Sequence, residues 1–127
     1  MIFVFGSNLA GIHGAGAAKF AHDNLGAKYR AAEGLMGYCY AIPTKDENIK
    51  SLSKDEISKY IQKFMKFAYD NPHCDFKVTQ VGCGLAGFSK GFIAECFWYS
   101  AYKNSNCYFD LAWKNYLPNT AKFWGTF

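Results

Sequence analysis

Apolar positions along this chain fall into short runs that alternate with helical repeats. Residues 2–5 form an unbroken apolar run of β-formers, which predicts a central strand covered on both faces. Over residues 15–25 the apolar Ala17, Ala18, Ala21 and Leu25 fall near one helical face, and Gly26 stops the helix. Tyr38-Cys-Tyr-Ala-Ile42 predicts a second strand, ended by Pro43 and preceded by a loop that carries Gly34 and Gly37. Ser53 and Glu56 make a capping-box pair. Beyond it Ile57, Tyr60, Ile61, Phe64 and Ala68 recur at helical spacing until Asn71-Pro72 ends the repeat. Residues 76–81 read as a third strand. Residues 89–102 read as a third helix, whose aromatics (Phe92, Phe97, Trp98, Tyr99, Tyr102) are expected on the sheet. Residues 107–109 read as a last strand. The remainder, residues 110–127, carries Trp113, Trp124 and two phenylalanines, and is too apolar to stay free. Strand and helix alternate throughout, which predicts an α/β domain with a mainly parallel sheet and helices on both faces.

Composition narrows this picture. A chain of 127 residues with 50% hydrophobic content builds one core, so residues 1–127 are expected to form a single domain. No apolar run approaches the roughly 20 residues of a membrane span, so no membrane partner is expected. Met1-Ile-Phe-Val-Phe5 is too short for a signal-peptide core and reads as the first strand. The five cysteines, an odd count without a Cys-x-x-Cys pair, argue against a zinc site and a disulfide framework. A reducing, cytoplasmic setting fits, and no metal or cofactor is called for. The net charge of +4 is mild, and Lys50, Lys54, Lys59, Lys63 and Lys66 are spread along one amphipathic stretch. That is a solvated helix face, and nothing in it demands nucleic acid.

Two glycine-rich turns carry the chemistry. Gly6-Ser-Asn-Leu-Ala-Gly-Ile-His-Gly-Ala-Gly-Ala-Ala18 follows the first strand, and Gly82-Cys-Gly-Leu-Ala-Gly-Phe88 follows the third. A strand, a glycine-rich turn and a helix start make an anion cradle of outward amides and helix dipole. Two of them in so short a chain predict one site for a ligand with more than one phosphate. Glycine used only for tight chain reversal would explain either turn alone. It explains the pair less well, because Ala10, Ala15, Ala17 and Ala86 keep the intervening positions small as well.

Gly82, Gly84 and Gly87 fit G-x-G-x-x-G, but the turn lies late, no second half follows, and only Asp110 stands near the place of a ribose-binding acid. A dinucleotide-binding Rossmann domain is therefore the weaker reading, and no P-loop motif is present. Asn8 reads either as a turn asparagine or as a partner for a sugar hydroxyl. His13 reads as a loop or cap residue sooner than as a general base. Lys45 and Asp46 emerge at a strand end, where α/β sheets gather their ligand groups. Cys83 sits near a helix start that would lower its thiol pKa, yet no His and Asp or Asn set can be assigned to it as a nucleophile.

With these residues in view, the chain resembles the macrodomain family, which binds ADP-ribose and its derivatives. Gly14-Ala-Gly-Ala-Ala18 resembles that family's first ligand loop. Ile42-Pro-Thr-Lys45 and Val81-Gly-Cys-Gly-Leu-Ala-Gly-Phe88 resemble segments of its terminal ADP-ribose glycohydrolase branch. The pattern is also similar to small macrodomain-like proteins of bacteriophage genomes. The resemblance implies a three-layer α/β/α sandwich with a mainly parallel mixed sheet. It implies that Gly82, Cys83, Gly84, Leu85, Ala86, Gly87 and Phe88 wrap the diphosphate and distal ribose. Gly14, Ala15, Gly16 and Ala17, with His13 beside them, would close the other side, while Gly6, Ser7, Asn8 and Thr44 line the ribose end. Lys45 would be the catalytic lysine.

The chain departs from that branch in two places. Ala86 stands where the branch carries its paired aspartate, so acid or base help would have to come from Asp46. No aspartate near the first strand is offered for adenine, which leaves base recognition open. The resulting expectation is binding of ADP-ribose, a cyclic ADP-ribose isomer or an ADP-ribosylated macromolecule, with or without hydrolysis. For a phage-encoded protein the setting would be the host cytoplasm and the role would be the sequestration or removal of an immune nucleotide. The alternative is a nucleic-acid-binding or interaction module with degenerate glycine loops.

Overall fold

In the computed structural model, which describes residues 1–127, six strands form one sheet. They are β1 (Ile2–Asn8), β2 (Gly34–Met36), β3 (Cys39–Lys45), β4 (Phe76–Val78), β5 (Cys107–Asp110) and β6 (Lys122–Gly125). Their order across the sheet is β2-β3-β1-β4-β5-β6, and only the β2–β3 pair is antiparallel. The helices are α1 (Gly16–Asn24), α2 (Lys54–Asp70) and α3 (Lys90–Lys103), with a 3-10 turn over Leu111–Tyr116.

Successive strand residues point to opposite faces, and the two faces carry separate cores. Phe3, Phe5, Cys39 and Ala41 pack with Ala18 and Ala21 of α1. Val4, Tyr40, Ile42, Phe76 and Val78 pack with Ile57, Ile61 and Phe64 of α2 and Ile93 and Phe97 of α3. This is why the inner strands read as continuous apolar runs. No helix is long and apolar enough to cross a membrane. All five cysteines are free thiols, with Cys39 and Cys107 buried.

The expected α/β alternation with a mainly parallel sheet is present, though β4 stops at Val78 and does not run to residue 81, and four further details differ from the sequence reading. First, β1 runs on through Gly6 and Ser7 to Asn8, because its register with β3 continues past the apolar run. Second, β3 passes through Pro43. Its partner β2 stops opposite Ala41, so a residue without an N–H is tolerated there. Third, β2 and β6 replace expected loop and tail. Both are short edge strands whose pairing comes from the neighbouring strand and not from their own residues. Fourth, Trp98, Tyr99 and Tyr102 are 40%, 67% and 58% exposed, whereas Phe97 is fully buried. The buried stripe of α3 runs through Ile93, Ala94, Phe97 and Ser100, and one face cannot hold every aromatic of a helix that is apolar all round.

The chain after β5 is tied down by Asp110. This carboxylate is fully buried, and it accepts from Ala112 N–H (2.9 Å), Phe127 N–H (3.0 Å) and Thr126 Oγ1 (3.2 Å). Asp110→Ala leaves those donors without their acceptor. The expected loss is about 2 kcal/mol or more, read as a lowered urea midpoint. An unchanged midpoint would show that water replaces the carboxylate without cost.

Candidate functional site

The C-terminal ends of parallel strands leave backbone groups and side chains facing a crevice. Here Gly6, Ser7 and Asn8 of β1, Thr44 and Lys45 of β3, and Thr79 and Gln80 after β4 form its floor. The chains approach closely at Gly6. A Cβ there would stand 3.2 Å from Thr44 Cγ2 and 3.3 Å from Gly82 N. Thr44 Oγ1 donates to Ser7 O (3.0 Å), and Thr79 Oγ1 donates to Val4 O (2.7 Å), so the floor is cross-linked strand to strand.

Two walls rise from this floor around a cleft of about 660 Å³. The first is Ile12 with Gly14, Ala15, Gly16, Ala17 and Ala18; the second is Gly82, Cys83, Gly84, Leu85 and Ala86; Ile49 and Phe127 complete the lining. The first wall contains the start of α1, whose N-cap residue Ala15 supplies no side-chain acceptor. The other helices are capped by Ser53 and Ser89. Thus the helix that opens on the cleft is the one whose first amides are left without a cap.

In the second wall, Cys83 N–H donates to Gln80 O (3.1 Å), Gly87 N–H to Gly84 O (3.0 Å) and Phe88 N–H to Gly82 O (2.9 Å). The N–H groups of Gly84, Leu85 and Ala86 have no backbone acceptor. Ser51 Oγ donates to Ala86 O (2.6 Å) and ties this wall to the segment leading into α2. Gly84 has no neighbour within 4 Å of a built Cβ, and Gly14 has only Ile12 Cγ2 at 3.9 Å. Neither has a positive φ. Glycine at these two positions is required by neither the backbone nor the packing, which fits open space kept for a bound molecule.

Lys45 is the one charged side chain on the lining, which includes no Asp or Glu. The chain's ion pairs, Lys19–Asp23, His22–Asp23, Lys63–Glu33 and Lys66–Asp70, do not include it. Unopposed positive charge beside unpaired amides favours an anion. No group of His, Cys, Asp and Glu is placed to hold a metal ion.

Most of the residues expected from sequence come together here, and several do not line the cleft. His13 lies behind the first wall, 6% exposed, with Nε2 facing Lys28 O (2.9 Å) and Ala31 O (3.1 Å) and its ring edge-on to Phe5. It braces the loop and does not face a ligand. Asp46 is turned into its own loop, where its Oδ1 accepts from Asn48 N–H (2.8 Å) and Lys50 N–H (3.0 Å). Gly87 and Phe88 fall outside the lining, and the Phe88 ring packs against Phe92. Asn8 lines the cleft, but its amide is engaged with Ile12 at both Oδ1 and Nδ2.

The expectation of a lowered Cys83 pKa is reversed. Burial pushes the thiol up, and the Trp113 indole and the Lys90 charge only partly oppose it. Burial disfavours the thiolate more than those groups favour it.

Ile49, Thr79, Gln80 and Phe127 join the lining without having been anticipated, and so do Ile12 and Ala18 of the first glycine-rich turn, which were not singled out within it. Thr79 and Gln80 were readable in principle, since they precede Gly82 at a strand end. Phe127 carried no local signal. Comparisons with protein-family models, curated proteins and solved structures return no match.

Proposed function

We propose that this chain is a macrodomain-like protein, a three-layer α/β/α sandwich that binds ADP-ribose or a nucleotide derived from it in the cytoplasm. The observation that carries this reading is the pairing of two anion-seeking walls across one cleft. The uncapped start of α1 faces it on one side and the unpaired amides of Gly84, Leu85 and Ala86 on the other. A diphosphate offers several negatively charged oxygens to such a pair. Lys45 adds the counter-charge, and the small residues of both walls admit the sugars close to the backbone.

Binding is favoured over hydrolysis because no Asp or Glu side chain lines the cleft to move a proton at the ribose. A role in sequestering an ADP-ribosyl signal or modification follows, with a cyclic ADP-ribose isomer or an ADP-ribosylated macromolecule as the larger ligands. Calorimetry with ADP-ribose and cyclic ADP-ribose isomers tests this directly. Absence of heat from all of them at high concentration would sink the proposal. Lys45→Ala is expected to weaken ADP-ribose roughly tenfold, the worth of a charge-assisted contact. Wild-type protein is expected to leave ADP-ribosylated substrates intact. Turnover by the wild type that Lys45→Ala abolishes would replace binding with attack by the lysine on the anomeric carbon.

A further inference from the structure

We propose that α3 and the 3-10 turn carry a second binding site, a groove that takes the guanidinium of an arginine side chain from a partner polypeptide. Gly91, Glu95, Trp98 and Tyr116 line this groove, and none of them lines the cleft described above. Gly91, Glu95 and Trp98 are spaced by four and three residues, so they share one face of α3. Tyr116 comes from the 3-10 turn and lies against Gly91, where a Cβ would stand 3.6 Å from the tyrosine ring. The frame is anchored in the core. Trp113 is fully buried with its ring 5.6 Å from that of Phe97, and Leu117 is buried on the other side of Tyr116 in the chain. Tyr116 is thereby fixed while it remains 45% exposed. The Trp98 ring, 40% exposed, is supported by Tyr102 at 6.3 Å between centroids.

Charge names the occupant. Glu95 is exposed and takes part in none of the chain's ion pairs. Two other rings of α3 hold a cation of the chain itself, Lys54 over Phe92 (4.9 Å) and Lys103 over Tyr99 (5.9 Å). No lysine or arginine of the chain stands over Trp98 or Tyr116. Lys90 and Lys114 are near in sequence, yet neither lines the groove or pairs with Glu95. Two π-faces and an unpaired carboxylate around one groove attract a cation. A quaternary ammonium would meet the rings but has no N–H to give Glu95. A guanidinium lies flat on the Trp98 ring and presents a fork of donors to the carboxylate, so it uses both. The groove is open and has only four lining residues. That suits a side chain presented by a polypeptide, whereas a free small molecule needs a pocket that encloses it.

The test is an NMR titration with a blocked Gly-Arg-Gly peptide, its citrulline counterpart and tetramethylammonium, read at the backbone amides of Gly91 and Tyr116. Citrulline keeps the shape of arginine and removes the charge. The arginine peptide is expected to bind the wild type with a Kd of about 1 mM, and the citrulline peptide at least roughly fivefold more weakly. Glu95→Gln and Trp98→Ala are each expected to weaken the arginine peptide roughly fivefold. Glu95→Gln is a surface change that keeps the side chain's size, so its result stands even if Trp98→Ala disturbs the helix. Equal binding of the arginine and citrulline peptides overturns the proposal, as does unchanged affinity in Glu95→Gln. Tetramethylammonium that binds as tightly as the arginine peptide overturns the choice of a guanidinium. Shifts confined to the amides of Gly84 and Leu85 overturn the location.

Discussion

Gly84→Val is expected to abolish ADP-ribose binding at accessible concentrations while leaving the fold as stable as the wild type. The two halves of this expectation come from the same place. A Cβ at Gly84 meets no protein atom within 4 Å, and the backbone there is not in the left-handed region, so the fold accepts a side chain. The space such a side chain fills is the cleft, beside the unpaired amides of Leu85 and Ala86. Losing two charge-assisted contacts there costs about 3 kcal/mol or more, which is more than a hundredfold in affinity. The thermal midpoint should hold or rise slightly, since replacing a loop glycine reduces the freedom of the unfolded chain. Calorimetry and a melting curve on one preparation read both halves. A variant that binds like the wild type would show that the second wall does not touch the ligand.

The largest stability effect is expected at Phe64. Its ring is fully buried and packs against Tyr40 (5.1 Å), Phe76 (5.4 Å) and Phe97 (6.1 Å), so α2, α3 and the sheet meet on it. Phe64→Ala removes the ring and leaves a cavity that rigid neighbours on three elements cannot fill. The expected cost is about 3–5 kcal/mol, a large share of the roughly 5–15 kcal/mol that holds a domain together. Trp98→Ala provides the contrast. That larger side chain is 40% exposed on the outer face of α3, and its loss should cost far less. Urea unfolding of both variants decides the matter, and equal midpoints would contradict the assignment of the buried stripe.

The contrast between Phe64 and Trp98 also marks how far the sequence could be read. The helical repeat Ile57, Ile61, Phe64, Ala68 points inward, because the polar Lys59, Gln62, Lys63 and Lys66 mark the opposite face. In α3 apolar residues surround the helix, and no spacing distinguishes Phe97, which is buried, from Trp98 and Tyr99, which are not. Sheet position decides there. The same holds for the edges of the sheet. β2 and β6 exist because a neighbouring strand offers a ladder, and neither has a pattern of its own.

In the site, the glycine turns and Lys45 were legible because each lies at or just beyond a strand end. His13 and Asp46 were expected on the cleft and do not line it. Sequence spacing puts both beside cleft residues, but it does not say which way a side chain turns. Backbone groups claim them, the carbonyls of Lys28 and Ala31 for His13 and the amides of Asn48 and Lys50 for Asp46.

By itself the sequence determined the alternation of strand and helix, the parallel inner strands and two small-residue turns at strand ends. These are local properties, written in periodicity, capping and glycine. Only the tertiary structure decided that the two turns face each other, that α1 begins uncapped at their side, and that Lys45 stands there with no Asp or Glu side chain on the lining. Phe127 is the extreme case. It reaches the cleft through the pairing of β6 with β5 and a buried bond to Asp110, and its ring rests on Phe3 and Phe20 far away in sequence. Contacts between residues so distant along a chain leave no mark in the pattern around any one of them.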